Sequence, residues 1–290
     1  MEFLTTFING LSLGGVYALI ALGYTMVYGI AKMLNFAHGD IIMVGGYTIV
    51  VFFNLIHQPI IAALVAIVVC VIMGFLMEKL AYKPLRGASP LAVLITAIGV
   101  SYLLQSLARI IFGTGMKFVL LNNWGALKIG DFSIKYNTLL TLASSIIIMI
   151  SLTFFINRTK VGKAMLAVSE DRQAASLMGI SVNRVIMLTF MIGSSLAAVA
   201  GAFYLLSIPG VTTTMGSMPG IKAFTAAVIG GIGSIPGAML GGLLLGVIET
   251  FCQSVPALSP YTVAIEFALL IIILLVKPTG LLGKRKREKV

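Results

Sequence analysis

Charge is scarce in this sequence. Only 10% of its 290 residues are Asp, Glu, Lys or Arg and 59% are hydrophobic, whereas a soluble domain keeps about a quarter of its residues charged. The mean hydropathy is +1.08, and the apolar residues come in blocks, several near the ~20 residues that cross a hydrocarbon core. This excludes an ordinary soluble domain and points to an all-α polytopic membrane protein. Cysteine and histidine are scarce too, two of each. Cys70 and Cys252 lie in apolar runs, where free cysteines behave as small hydrophobes, which argues against a disulfide framework or a metal site. A Walker A pattern is missing: "GLLGKRK" has its Gly-Lys, but Pro278 stands where the first glycine belongs. The chain therefore has no such motif with which to power itself. Acidic residues number 9 against 20 basic ones, a net charge of +11. Loop enrichment on the cytoplasmic side of a membrane explains that excess better than a nucleic-acid partner does.

What is present is a series of spans. They are expected at about 8–31, 41–56, 60–78, 91–112, 138–156, 185–207 and 260–277, with an irregular segment at 221–256. The start, "MEFLTTFING", has no basic residue before Lys32 and reads as a retained first helix rather than a secretory signal. An outer N-terminus places Lys32, the loops 79–90 and 157–184 and the tail 278–290 inside, together with most of the basic residues. Lys117, Lys128 and Lys135 remain outside, so the C-terminus is expected inside. The whole of 1–290 is expected to form one transmembrane domain.

The irregular segment reads as a half-helix and a longer returning helix. From Ile221 to Ile232 a helix covers about 18 Å at ~1.5 Å per residue, well short of a ~30 Å core. The break at Gly233, Pro236 and Gly237 carries no basic residue, so it is expected at depth, where irregular backbone must be buried in protein or line a watery cavity. Small residues recur every four positions at Gly230, Ser234, Ala238, Gly242 and Gly246, and again at Gly193, Ala197 and Gly201, a spacing that lets helix backbones approach closely. Packing within one subunit is the first reading of those ridges, and a subunit interface or pathway lining the second. "MVGGYTIVV" from Met43 faintly echoes "MLGGLLLGV" from Met239, which leaves an internal duplication open.

The longest inner loop holds "SEDRQAASLMGIS". A short helix is expected there, with Ser169 as N-cap, Glu170 and Asp171 in its first turn and Gly179 as its stop. Ala174, Ala175, Leu177 and Met178 would give it a small apolar face. A helix this short is marginal alone, and small Ala residues beside acids suit a protein groove better than a lipid surface.

That stretch, "EDRQAASLMGI", resembles the EAA-type cytoplasmic loop of ABC importer permeases, with the acid separated from the Ala pair. The likeness widens over "LNFAHGDIIMVGGY", "AVIGGIGSIPGAMLGGLLLGVIE" and "LLVKPTGLLG". Across essentially the whole chain the sequence resembles branched-chain amino acid permeases of the LivH/LivM type, and in its short form the LivH branch. The resemblance implies an ABC importer permease fold of about eight transmembrane helices plus a broken, re-entrant half-helix. It implies a coupling helix at 169–179 seated in an ATPase cleft, through Glu170, Asp171, Ala174, Ala175, Leu177 and Gly179. It also implies a second, LivM-like permease, two LivG/LivF-like ATPases that bind ATP and Mg, an external substrate-binding protein, and a bacterial inner-membrane location. No cofactor is expected on this chain. Urea, amide and simple-sugar permeases are relatives.

Ionisable groups inside spans are functional candidates. Glu249 and Glu266 lie on consecutive helices near an outer turn, with Arg109 and Lys222 toward the same side. At least one Glu is expected to pair with Arg109 or Lys222 and brace the outer bundle; contact with the ammonium of an amino acid is the sharper alternative. Asn35, His38 and Asp40, in "NFAHGD", follow Lys32 and are expected at the cytoplasmic end of the bundle. There Asn35 would end one helix, Gly39 turn, and Asp40 cap the next. They form a helix break or, with Gly233, Pro236 and Gly237, an inner gate. An intramembrane enzyme would use these three, and an ion-coupled carrier would want acids or histidines at mid-membrane. Neither accounts for the cytoplasmic helix. His57 reads as solvated in an outer turn, and Trp124 as an interfacial anchor.

Overall fold

In the computed structural model, which describes residues 2–119, 125–129 and 132–283, the apolar blocks are helices. Among the described residues, eight helices are long and apolar enough to cross a membrane. The chain runs α1 (Glu2–Ala31), α2 (His38–Ile56), α3 (Pro59–Met77), α4 (Pro90–Phe112), α5 (Tyr136–Arg158), α6 (Lys160–Glu170), α7 (Arg172–Leu177), α8 (Val182–Ser207), α9 (Ser217–Gly230), α10 (Ile235–Ser254) and α11 (Thr262–Val276). Short strands β1 (Lys117–Phe118), β2 (Ala126–Ile129), β3 (Phe132–Lys135) and β4 (Gly210–Val211) form two small antiparallel pairs, β1 with β4 and β2 with β3. Trp124 and the basic residues of the tail from Lys284 onward lie outside the described residues.

Local chemistry sets the helix ends. Pro59 and Pro90 open α3 and α4, where the missing N–H costs nothing. Ser89 and Ser234 cap α4 and α10, each hydroxyl accepting from a first-turn amide. His57 takes a left-handed conformation, φ 55°, to turn α2 into α3.

α1 is the central helix and is buried along most of its length. It packs antiparallel on α10 through small residues. A Cβ on Gly10 would meet Val247 Cα at 2.8 Å, and one on Gly14 would meet Leu243 Cα at 2.7 Å. The second small-residue ridge also packs inside this chain, since a Cβ on Gly201 would lie 3.1 Å from Ile42 O. Close backbone approach of this kind replaces the hydrophobic driving force that lipid removes. By contrast α3, α4, α5 and α11 present exposed residues such as Ile72, Leu103, Ile147 and Leu275, the apolar surface that a bilayer covers.

Two irregular segments interrupt this bundle, one from each side. Residues 32–37 leave the end of α1 and turn back along it, and residues 208–216 leave α8 and lead into α9. α9 has 14 residues, ~21 Å of helix, so it is the short helix anticipated, but its break is placed differently. Gly233 lies beside Gly29 near the end of α1, and Leu281 and Leu282, just past α11, donate from their amides to the carbonyls of Ile229 and Gly230 at 2.8 and 2.9 Å. The Gly233–Gly237 turn therefore sits level with the ends of α1 and α11. It is the opposite end of α9, its N-terminus, that starts inside the bundle.

Candidate functional site

The "NFAHGD" stretch is not at the rim of the bundle. His38 packs edge-on against Tyr24, ring centroids 4.8 Å apart, and a Cβ on Gly23 would meet His38 Cε1 at 2.7 Å. Gly23 precedes Ala31 by eight residues, ~12 Å of helix, so the chain climbs that far after leaving α1. Six residues of irregular chain span the distance easily at ~3.3 Å each. Asn35, His38 and Asp40 are each 2% exposed or less. Asn35 does not end α1, which stops at Ala31; its Oδ1 instead accepts from Tyr82 Oη at 2.7 Å. Asp40 does not cap α2, whose N-cap position is Ala37. Its Oδ1 accepts from Gln105 Nε2 at 2.9 Å, and the same nitrogen lies 3.2 Å from Ser101 Oγ and 3.3 Å from Ser217 Oγ. Asp40 thus joins the first turns of α2 and α9 through α4.

Glycine makes that junction possible. A Cβ on Gly39 would meet Gly216 O at 2.5 Å, and one on Gly220 would meet Gly39 Cα at 2.9 Å. Two helix N-termini, reached by irregular segments from opposite sides, therefore touch backbone to backbone within the bundle. Beside them a narrow cleft, with room for little more than a water molecule, is bounded by Tyr24, Tyr28, Leu34, Asn35, Phe224 and Ile232.

A second polar cluster lies between α1, α9, α10 and α11. Lys222 Nζ is 2.6 Å from Glu249 Oε1 and 3.2 Å from Glu266 Oε1. Tyr17 Oη donates to Glu249 Oε2 at 2.7 Å, and Gln253 Nε2 donates to its Oε1 at 3.1 Å. Arg109 does not join them. It stands on α4, with Nε 3.5 Å from Thr213 Oγ1.

The loop 157–184 forms two helices rather than one. Ser169 lies within α6, where its Oγ donates to Leu166 O, and Glu170 is the last residue of that helix. Asp171 adopts extended geometry and caps α7, its Oδ1 accepting from the amides of Gln173 and Ala174 at 2.8 and 3.0 Å. The acidic residue nearest the Ala pair therefore starts the helix instead of lying in its first turn. Gly179, at φ 80°, ends it, and Ile180 N returns to Ala175 O at 3.0 Å. Ala175 is buried, while Leu177 and Met178 are 89% and 82% exposed.

Several positions in this architecture carried no sequence signal of their own. Arg172 donates to the carbonyl of Ala31, the last residue of α1. Burial, with Arg86 close by, lowers the proton affinity of its guanidinium. Arg86 in turn bonds both Glu78 and Asn183. Glu78 and Tyr82 belong to one π-helical turn, Glu78–Tyr82, a geometry often found at functional positions. Gly39 was expected to turn the chain rather than to meet α9, and Gly23, Gly216 and Gly220 were visible only as unexplained glycines.

The comparisons with known proteins agree over the full chain. The family model described as "Branched-chain amino acid transport system / permease component" matches residues 6–274. The high-affinity branched-chain amino acid transport system permease protein BraD of Pseudomonas aeruginosa is 43% identical, over 100% of this chain and 98% of its own. LivH of Escherichia coli K12, of the same description, is 42% identical with the same coverage. A probable branched-chain amino acid transport permease LivH of Methanocaldococcus jannaschii is 29% identical over 91% of this chain and 88% of its own.

Proposed function

Because the chain belongs to the branched-chain amino acid transport permease family, we propose that it forms half of the translocation pathway of an ATP-driven importer of branched-chain, hydrophobic amino acids. It is a multi-pass transport subunit and not itself an enzyme. The other half of the pathway would be a LivM-like permease. Two LivG/LivF-like ATPases would bind ATP and Mg below, and an external binding protein would deliver substrate. The membrane would be the bacterial inner membrane, with the N-terminus outside and the loop α6–α7 facing the cytoplasm, as the basic residues of that loop favour.

The observation that carries this reading is the Asp171-capped α7 with Leu177 and Met178 on its exposed side. A six-residue helix is unstable alone, and two large apolar side chains in water need a partner. An ATPase groove supplies one. A carrier working alone has no use for such a projection.

Within the bundle, the meeting of α2 and α9 at Gly39 and Gly216 supports a closed constriction, with Asp40 and Gln105 as its polar element. Its opening would require the first turn of α2 and the start of α9 to part, since their backbones are in contact at Gly39 and Gly216. Lys222, two residues past Gly220 on α9, pairs with Glu249 of α10 and Glu266 of α11 and serves as a brace. The test is reconstitution with both ATPases, the second permease and the binding protein. ATP-dependent uptake of leucine, isoleucine or valine is the expected result; uptake that persists without the ATPases would defeat the proposal.

A further inference from the structure

The last four carbonyls of a helix lack intrahelical partners. At the end of α1 three of them are satisfied in distinct ways. Lys32 N bonds Tyr28 O at 2.9 Å, Lys32 Nζ bonds Gly29 O at 2.6 Å, and Ala31 O is taken by Arg172. Two of these bonds are local. The third comes from α7, 141 residues along the chain.

The place of that bond gives it consequence. α6 is fixed to the body of the protein: Met165 and Val168 are buried, and Gly162 packs tightly on the backbone of Ile156. α7 is joined to α6 through the extended residue Asp171 and buries Ala175. Ala31, where Arg172 grips α1, is the last helical residue before the segment 32–37, and Lys32 there adopts a left-handed φ of 52°. That segment is held at its other end by Tyr82 on Asn35. It delivers His38 and Asp40 to the contact between α2 and α9.

We propose that Arg172 is the positioning residue that ties displacement of α7 to the segment 32–37, and so opens or closes the Gly39–Gly216 contact. The role rests on the importer reading above and assigns it a specific linkage. Seated on an ATPase, α7 moves with it. Arg172 then pulls on the carbonyl end of α1, where a cation is also favoured by the helix dipole. α6, packed against α1, α5 and α8, stays with the bundle in this scheme.

The experiment uses the whole transporter, with ATPases, second permease and binding protein, and compares Arg172→Ala and Arg172→Lys with the unaltered chain. Three quantities are read: recovery of the complex, substrate transported per ATP hydrolysed, and labelling of Leu34→Cys by a thiol reagent with and without a non-hydrolysable ATP analogue. Leu34, within the segment, lines the cleft, and the native Cys70 and Cys252 are buried. Arg172→Ala is expected to assemble and hydrolyse ATP, yet transport per ATP should fall by about tenfold, a usual size for coupling between sites. Thiol labelling at position 34 should no longer respond to nucleotide in that variant. Arg172→Lys keeps a cationic donor and should restore much of both. Unchanged transport per ATP in Arg172→Ala overturns the proposal. So does loss of the complex in that variant, because Arg172 would then be a docking or folding residue. If the unaltered transporter fails to carry branched-chain amino acids, the importer reading fails separately; the labelling response needs no substrate and still decides the role of Arg172.

Discussion

Lys222 and Glu249 face each other at 2.6 Å, and Glu266 approaches the same ammonium to 3.2 Å. Two carboxylates and one cation share a buried site where α1, α9, α10 and α11 meet. Desolvation makes such a group weak evidence for net stability, but removing one partner leaves an uncompensated buried charge. Lys222→Met should therefore cost about 3–5 kcal/mol, read as a lowered melting temperature of the purified complex. Glu266→Gln should be much milder, because it leaves one carboxylate per lysine. A double-mutant cycle over Lys222 and Glu249 should show coupling of at least about 1 kcal/mol; purely additive losses would remove the brace.

His38 occupies space that only a glycine at position 23 leaves open, since a Cβ there would lie 2.7 Å from His38 Cε1. Gly23→Ala should therefore act as an overpacking mutation, costing about 1–3 kcal/mol. His38→Ala should relieve it. The single variant His38→Ala should assemble normally and transport poorly, because the ring sets how the segment 32–37 rests on α1. Normal uptake by His38→Ala would show that the ring only fills space.

Much of this arrangement was legible in the sequence. The short α9 followed by a returning helix, the charges at Lys222, Glu249 and Glu266 inside apolar runs, and an apolar-faced helix in the loop before α8 all follow from pattern. Depth was not legible. Six residues between Ala31 and His38 could have run along the surface or climbed the bundle, and hydropathy is the same in both cases. The break beside α9 is misleading for a similar reason. "GSIPG" advertises a turn, whereas "PGVTTTMG" carries the irregular backbone that actually enters the bundle and has a weaker turn signature. The cap of α7 is ambiguous in sequence because Ser169 and Asp171 are both good N-caps, and only the packing of Met165 and Val168 extends α6 past the serine. Arg172 could not be singled out, since a basic residue in a basic loop does not reveal which carbonyl it will meet.

Asp171 offers the simplest check on the α6–α7 loop. Its carboxylate accepts from two amides of α7, and loss of such a cap costs about 1 kcal/mol. In a six-residue helix that is enough to loosen the whole element. Asp171→Ala should lower substrate-stimulated ATPase activity several-fold in the assembled transporter, while Asp171→Asn, which keeps an accepting oxygen, should stay near the unaltered level. Equal loss in both would assign the effect to charge rather than to capping.

The contact between Gly39 and Gly216 makes the most direct prediction about the pathway. A Cβ on Gly39 would sit 2.5 Å from Gly216 O, and the obstacle is backbone, which cannot swing aside as a flexible side chain would. Gly39→Ala must then either push α2 and α9 apart or shift the first turn of α2. A shift carries Asp40 away from Gln105, and with it the bond that ties α2 to α4. Transport should fall sharply, with a stability cost of about 1–3 kcal/mol for the overpacking. Gly87 is the matched control: a Cβ there meets nothing within 4 Å, so Gly87→Ala should leave both uptake and melting temperature unchanged. If Gly39→Ala widens the constriction instead of jamming it, ATP hydrolysis should rise without delivery by the binding protein. Measuring basal and stimulated hydrolysis beside uptake separates the two outcomes. A Gly39→Ala transporter indistinguishable from the unaltered one in all three would mean that α2 and α9 are not in contact in the working protein.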